Sequence, residues 1–432
     1  MPMSMPMPKL DRLHDLLAGE APSAFEEPRA GIVTRAQEII HDRPFVHLDA
    51  TNEEVRVFLA RHLDLEVVAV VDEGQRPVGL INRYLFAEAY SHPFAREVFG
   101  KRSCIAWMDK EPLVVDAETG LEALVRAALA KGPKVLKDGF IGTRDGRYAG
   151  QGTGFSLMKA MEALESEKAR RLMESIDYAS TIQRSHLSTS DLQLAENLKD
   201  FYLHWSPRDV VGGDCYFFRR TRAGLFGAVV DCTGHGVPGA FMSLITLSFL
   251  SFQVGASDDR KDPGEVLFLL NQHIKAVLSQ NHAGAQLRAT EDPGRSDDGL
   301  DAACFLLEPG GQRLVYAGAR MPLIIAGAEQ RVLEPERMGI GYVATPDDYR
   351  WQAQEVTLAA GSKVMITTDG ITDQIGGPNG VSLGRKRLLE WLLAQEARTA
   401  EETGRGFLAF LQEWQGEEVR RDDATFLMFT LA

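Results

Sequence analysis

The sequence predicts an α+β protein in which an N-terminal α/β tandem, a helical linker and a β-rich C-terminal domain follow one another along 432 residues. Three observations predict it. A helix followed by a hairpin occurs twice between residues 42 and 154. Apolar residues then step by three or four through residues 155–190. From residue 198 onward, short β-rich runs end in Asp and Gly. The predicted division is a flexible tail with a short helix at 1–41, the tandem at 42–154, the linker at 155–190, and the C-terminal domain at 191–432.

The chain opens on alternating Met and Pro, with no apolar stretch of the kind a signal peptide carries, so it reads as a tail. In the tandem, Thr51-Asn-Glu-Glu54 precedes the apolar positions Val55, Phe58, Leu59 and Leu63. Thr119-Gly-Leu-Glu122 likewise precedes Leu124, Val125, Ala128 and Leu129. Both have the capping-box form, in which a Thr hydroxyl and a Glu carboxylate satisfy free helix N–H groups. The hairpins that follow cover residues 67–81, turning at Asp72-Glu-Gly74, and residues 138–153, turning at Asp145-Gly146. In the linker, Leu157, Met161, Leu164, Leu172, Ile176, Ala179 and Ile182 form one stripe. Glu165, Glu167, Lys168, Arg170 and Arg171 fill the other side. This is the pattern of a coiled coil joining two protomers, or of an amphipathic helix packed on its own domain.

Composition excludes some partners. There are 47 basic and 61 acidic residues, a formal charge of -14, and nucleic acid or an anionic membrane surface requires a basic face. Cys104, Cys215, Cys232 and Cys304 form no C-x-x-C pair, which predicts reduced thiols and a cytoplasmic location. The uncharged run Gly239–Ala256 is long enough for a marginal membrane span. Its Ser, Thr and Gln content and the Gly-rich loop before it predict a buried helix instead.

The chemistry lies in four acidic clusters: Val211-Gly-Gly-Asp214, Asp231-Cys-Thr-Gly-His-Gly236, Thr367-Thr-Asp369-Gly370, and Arg421-Asp422-Asp423-Ala-Thr425. Three of them place Asp at the edge of a hydrophobic strand, where a carboxylate is partly desolvated. Converging carboxylates repel one another unless cations lie between them, and hard oxygen donors select Mg2+ or Mn2+ over zinc. No H-E-x-x-H and no Cys/His cluster is present to argue for zinc. Asp297, Asp298 and Asp301, at the end of the polar stretch 281–298, read as a solvated loop.

These four clusters, in this order, resemble the SpoIIE-type branch of the PPM metal-dependent protein phosphatases over about residues 180–432. Ile182-Gln183, Trp205-Ser-Pro-Arg-Asp-Val-Val211, Tyr316-Ala-Gly-Ala-Arg-Met-Pro322 and Met338-Gly-Ile-Gly341 support the resemblance, while Arg320 stands where many members carry His. It implies a β-sandwich with helices on both outer faces and two Mn2+ or Mg2+ ions. Asp231 would bridge the ions, the Cys232 carbonyl would bind one, and Asp369 and Asp422 would complete the other site. Asp214 would hold metal-bound water or approach a metal directly, and Asp423 is the second member of its pair. A water activated between the cations would attack phosphoserine or phosphothreonine, and the sequence shows no C-x5-R loop for a covalent phosphoenzyme. His235 is a candidate proton donor to the leaving oxygen or a polar loop residue. Asp373 is a candidate for a further cation or a cap on the helix that follows.

The implied substrate is a phosphorylated regulatory protein of the STAS-type antagonist class in partner-switching signalling. The alternatives are hydrolysis of a small phosphoester and a catalytically silent scaffold. Residues 42–160 resemble a pair of CBS domains, which implies dimerisation, sensing, or adenine-nucleotide binding just after each hairpin. Asn82 and Leu85 stand there in the first copy, Thr153 and Ser156 in the second, and neither copy has the ribose-binding Asp.

Overall fold

The computed structural model describes residues 34–255, 262–280, 297–327, 330–395 and 398–430. Most of the predicted tail and of the 281–298 stretch lies outside these residues. The chain divides into two compact units, residues 1–172 and 173–432.

The first unit is built twice from one plan. Strands β1 (Val46–His47), β2 (Val67–Val71) and β3 (Pro77–Asn82) form one sheet; β4 (Val114–Asp116), β5 (Phe140–Arg144) and β6 (Arg147–Gly152) form the other. In each, the first pair is parallel and the second antiparallel. A parallel pair needs a crossover, and helices α1 (Asn52–Arg61) and α2 (Leu121–Lys131) supply it. Val55, Leu59, Val70 and Ile81 fill one core, and Leu121, Leu124 and Phe140 the other.

Local chemistry explains where the predicted elements shift. The first capping box forms, with Thr51 Oγ1 accepting from Glu54 N and Glu54 accepting from Thr51 N. The second does not. Gly120 is the N-cap of α2, which leaves Glu122 one position too early to reach back, and its carboxylate takes Lys168 instead. The Asp145-Gly146 turn has φ of 53° and 73°, the pair of positive angles a two-residue hairpin loop requires. In the other hairpin the left-handed residue is Gln75, at φ 61°, and not Gly74.

Helix α3 (Gly154–Asn197) is longer than the predicted 155–190. Its last turns persist because Leu187 and Leu194 are buried in the core of the second unit. Midway, Leu172 and Met173 are 67% and 50% exposed, so the apolar stripe is not covered there.

The second unit is a layered α-β-β-α sandwich. Strands β7 (Phe201–Ser206), β8 (Cys215–Thr221), β9 (Gly224–Cys232), β10 (Leu300–Leu307), β11 (Arg313–Ala319), β12 (Leu323–Ala326), β13 (Arg331–Leu333), β14 (Gln354–Thr357), β15 (Lys363–Thr367) and β16 (Ala424–Thr430) form two antiparallel sheets. Their orders are β14-β11-β10-β9-β8 and β13-β12-β15-β16-β7. The sheets face each other, and Phe305 and Phe429 stack across the interface with ring centroids 5.5 Å apart. Helices α4 (Gly236–Gly255) and α5 (Pro263–Val277) cover the first sheet. Helix α8 (Ala400–Gln415) covers the second, after the short α6 (Asp369–Thr372) and α7 (Gly384–Leu393).

The uncharged run at 239–256 falls in α4. By length and composition alone, this helix is apolar enough to cross a membrane. It buries Ala240, Met242, Leu247, Leu250 and Val254 against its own sheet.

Candidate active site

Each predicted aspartate lies where a strand stops, and the topology brings these ends together. Asp231 is near the end of β9, the strand next to the edge of the first sheet, and Asp214 immediately precedes the edge strand β8 beside it. Asp369 follows β15, and Asp422 and Asp423 precede β16, adjacent strands of the second sheet. The carboxyls of Asp231 and Asp369 come within hydrogen-bond reach across the sandwich.

Two glycines permit the approach. A Cβ on Gly213 would stand 2.6 Å from the Gly234 carbonyl oxygen and 2.8 Å from that of Cys232. One on Gly370 would overlap the Asp423 carbonyl oxygen. No rotation of a side chain relieves a clash with backbone, so both positions need glycine.

Electrostatics shows what the cluster lacks. Burial, followed by the charges of Asp214 and Asp369, holds the Asp231 carboxyl well above the ordinary range. Asp214 is 1% exposed, and burial together with the charges of Asp423 and Asp422 pushes it up to about 8. Thr368 Oγ1 donates to Asp214 Oδ2 at 2.8 Å and partly offsets this. Burial and the neighbouring charges of Asp422 and Asp373 also raise Asp369. Without positive charge nearby, some of these groups keep protons at neutral pH.

The donors are oxygens, which suits Mg2+ or Mn2+. Among the described residues, no three His, Cys, Asp or Glu side chains close on one point as a full metal cage would. The residues therefore fit ions that keep several waters and take only one or two carboxylates each, as Mg2+ does.

This arrangement has a consequence for stability. In metal-free protein, folded Asp214 keeps its proton up to about pH 8, whereas the unfolded carboxyl loses it near 3.8. The folded state binds more protons across that window, so stability falls as pH rises through it. In EDTA, Tm should be lower at about pH 8 than at about pH 5. Asp214→Asn should flatten the decline, and saturating Mn2+ should reduce it. A Tm independent of pH in EDTA would contradict the burial argument.

The other candidates take different places. Asp423 accepts from the backbone N–H groups of Arg208 and Gly213, both at 2.6 Å, and more weakly from that of Asp214 at 3.4 Å. Its carboxylate staples the Gly-Gly-Asp loop to the start of β16. Asp422 is exposed, and its Oδ1 accepts from Asp423 N at 2.9 Å. Asp373 does not cap a following helix, since α7 has Leu383 at its N-cap; it is the C-cap of α6, with its N–H on the Asp369 carbonyl at 2.7 Å. His235 is exposed, with Nδ1 2.8 Å from Asp209 Oδ2 and Nε2 2.8 Å from Arg208 Nη1. Because a guanidinium only donates, Nε2 accepts and Nδ1 carries the proton.

Three residues at the site have roles that the sequence alone does not reveal. Asp301 is no loop residue: it lies in β10, in register with Asp231. Burial lifts it to about 6, while Arg320, 3.6 Å away, draws it down. The signal was present, because Asp301 begins an apolar strand as the other aspartates border theirs. Arg208 brings a guanidinium to the rim, where it also donates to the Arg421 carbonyl at 2.8 Å. Gln183, fully buried on α3, donates to the Gly212 carbonyl at 2.6 Å and to Ser243 Oγ at 2.8 Å, and accepts from Gly212 N at 3.3 Å.

The chain is similar to several known proteins. The family model for stage II sporulation protein E (SpoIIE) matches residues 222–432. The solved SiaA-PP2C domain of Pseudomonas aeruginosa is 33% identical with a TM-score of 0.53, covering 61% of this chain and 99% of that one. The PP2C domain with a regulatory fragment of SpoIIE from Bacillus subtilis is 15% identical with a TM-score of 0.39, covering 53% and 62%. The serine/threonine phosphatase Stp1 of Staphylococcus aureus is 15% identical with a TM-score of 0.38, covering 54% and 95%. No protein with a curated description matches the chain. The identity to the SiaA domain over nearly its whole length, with the family match, shows that this chain belongs to the SpoIIE/PP2C family and carries a PP2C-type serine/threonine phosphatase domain.

Proposed function

We propose that the chain removes phosphate from phosphoserine or phosphothreonine of a regulatory protein, with a STAS-type antagonist in partner switching as the substrate class. The observation that carries this reading is the meeting of Asp231 and Asp369 from opposite sheets, with Asp214 and Asp422 beside them. Asp231, Asp369, Asp422 and the Cys232 carbonyl are the groups to hold two Mn2+ or Mg2+ ions. When bound, such ions supply the acidity that makes water a nucleophile near neutral pH. Asp214, fixed by Thr368, orients that water, and Arg208 meets the phosphoryl oxygens. His235 as placed has no proton on Nε2 to donate, which favours a positioning role for it in the loop.

The test is phosphate release from a phosphoserine protein with Mn2+ and with EDTA. Release that needs Mn2+ supports the proposal. Activity on small phosphoesters alone would favour the alternative substrate, and no activity on either would favour a scaffold.

We propose regulation through α3. Gln183 ties this helix to Gly212, two residues before Asp214, so a shift of the helix moves the catalytic loop. Gln183→Ala should lower the rate by roughly 10–100-fold, because small displacements of a reacting group are costly. An unchanged rate would remove this coupling.

The duplicated β-α-β-β plan of the first unit supports a CBS-like pair. It carries no nucleotide proposal: Asn82 caps the helix after β3, and Thr153 and Ser156 bond each other's backbone N–H. The exposed Leu172 and Met173 support a homodimer through α3, and the four free cysteines support a cytoplasmic location. Leu172→Ser with Met173→Ser should give monomers by sedimentation; an unchanged mass would exclude this seam.

A further inference from the structure

We infer that the cavity between α3, β8 and α4 binds a small, multiply charged, phosphate-bearing anion at a place separate from the carboxylate cluster. The cavity measures about 550 Å3, within the range of small-molecule sites. Arg219 and Arg220 supply its cationic groups, His186 adds an imidazole, and Ser185, Thr189 and Ser251 add hydroxyls. Among the described residues no Asp or Glu lines it, although the chain holds 61 acidic residues against 47 basic ones. Local charge is thus the reverse of the chain average. None of the active-site aspartates contributes to its wall.

The way the walls are held favours an anion over a peptide strand. β8 is an edge strand, and such an edge would normally offer its N–H groups to another chain. Here α3 has already taken two of them: Ser190 Oγ accepts from Phe218 N at 3.1 Å, and Gln193 Oε1 accepts from Arg220 N at 2.9 Å. These contacts fix the backbone of Arg219 and Arg220 and leave their side chains exposed. Arg219 Nη1 makes a long 3.4 Å bond to the Ser251 carbonyl, which leaves other guanidinium N–H groups for a ligand. Among the described residues neither guanidinium pairs with a carboxylate. Planar guanidinium forks flanked by hydroxyls match the oxygens of a phosphate or diphosphate group.

The test is calorimetric titration of the full chain with inorganic pyrophosphate in EDTA, so that no cation holds phosphate at the active site. One saturable site is expected in the wild type and in Asp231→Asn. Arg219→Ser with Arg220→Ser should weaken binding by about tenfold or more, and the double Lys replacement should weaken it less. Absence of saturable binding, or binding unchanged in the double Ser variant, would overturn the inference. So would binding lost in Arg208→Ala alone, since that places the anion at the carboxylate cluster.

Discussion

Asp231→Ala is expected to lower phosphate release from a phosphoserine protein by roughly 10^3-fold or more at any Mn2+ concentration. Asp231 is the carboxylate that the other groups surround: Asp301 lies opposite it in register, and Asp369 reaches it from the second sheet. The folded domain should survive, since the change removes a buried carboxyl held well above its ordinary pKa by desolvation and neighbouring charge. Tm in EDTA should therefore stay level or rise while activity vanishes. A variant that lost activity only because it unfolded would show the reverse, and comparing the two readouts separates these cases.

Asp423→Ala is expected to destabilise the domain by about 2–4 kcal/mol and to abolish activity as well. Its carboxylate accepts two backbone N–H groups at 2.6 Å, from Arg208 and Gly213. Each donor left unsatisfied in the interior costs about 1–3 kcal/mol. Relief of repulsion with Asp214 and Asp422 offsets part of that loss, and so the sum stays below the simple total. The loop that carries Arg208, Gly212 and Asp214 would then lose its anchor to β16. Urea denaturation measures the first effect and phosphate release the second. A stability change within experimental error would mean that Asp423 is not the staple described here.

The contrast between these two residues shows what the sequence could reveal. Asp231, Asp369 and Asp422 were legible because each borders an apolar strand in a recognisable motif. Their neighbour Asp423 has the same motif, yet its role depends on N–H groups more than 200 residues away in the chain, at Arg208 and Gly213. In the sequence Asp301 reads as part of a loop with Asp297 and Asp298, and only the pairing of β10 with β9 places it opposite Asp231.

Local signals were reliable where backbone chemistry decides the outcome, as at the Asp145-Gly146 turn and the Thr51 cap. They failed where packing decides. Glu122 preferred Lys168 to a cap, and α3 ran on to Asn197 because Leu187 and Leu194 are buried against the sandwich. In the sequence Gln183 is only part of a motif; its three hydrogen bonds to Gly212 and Ser243 depend on the packing of α3 beside α4.

The most direct test of the two-cation site is equilibrium dialysis of Mn2+ against wild type and Asp231→Asn, with phosphate release measured on the same samples. Two bound ions and metal-dependent release are expected in the wild type, with both lost in Asp231→Asn. Two ions and full activity retained in Asp231→Asn would contradict it.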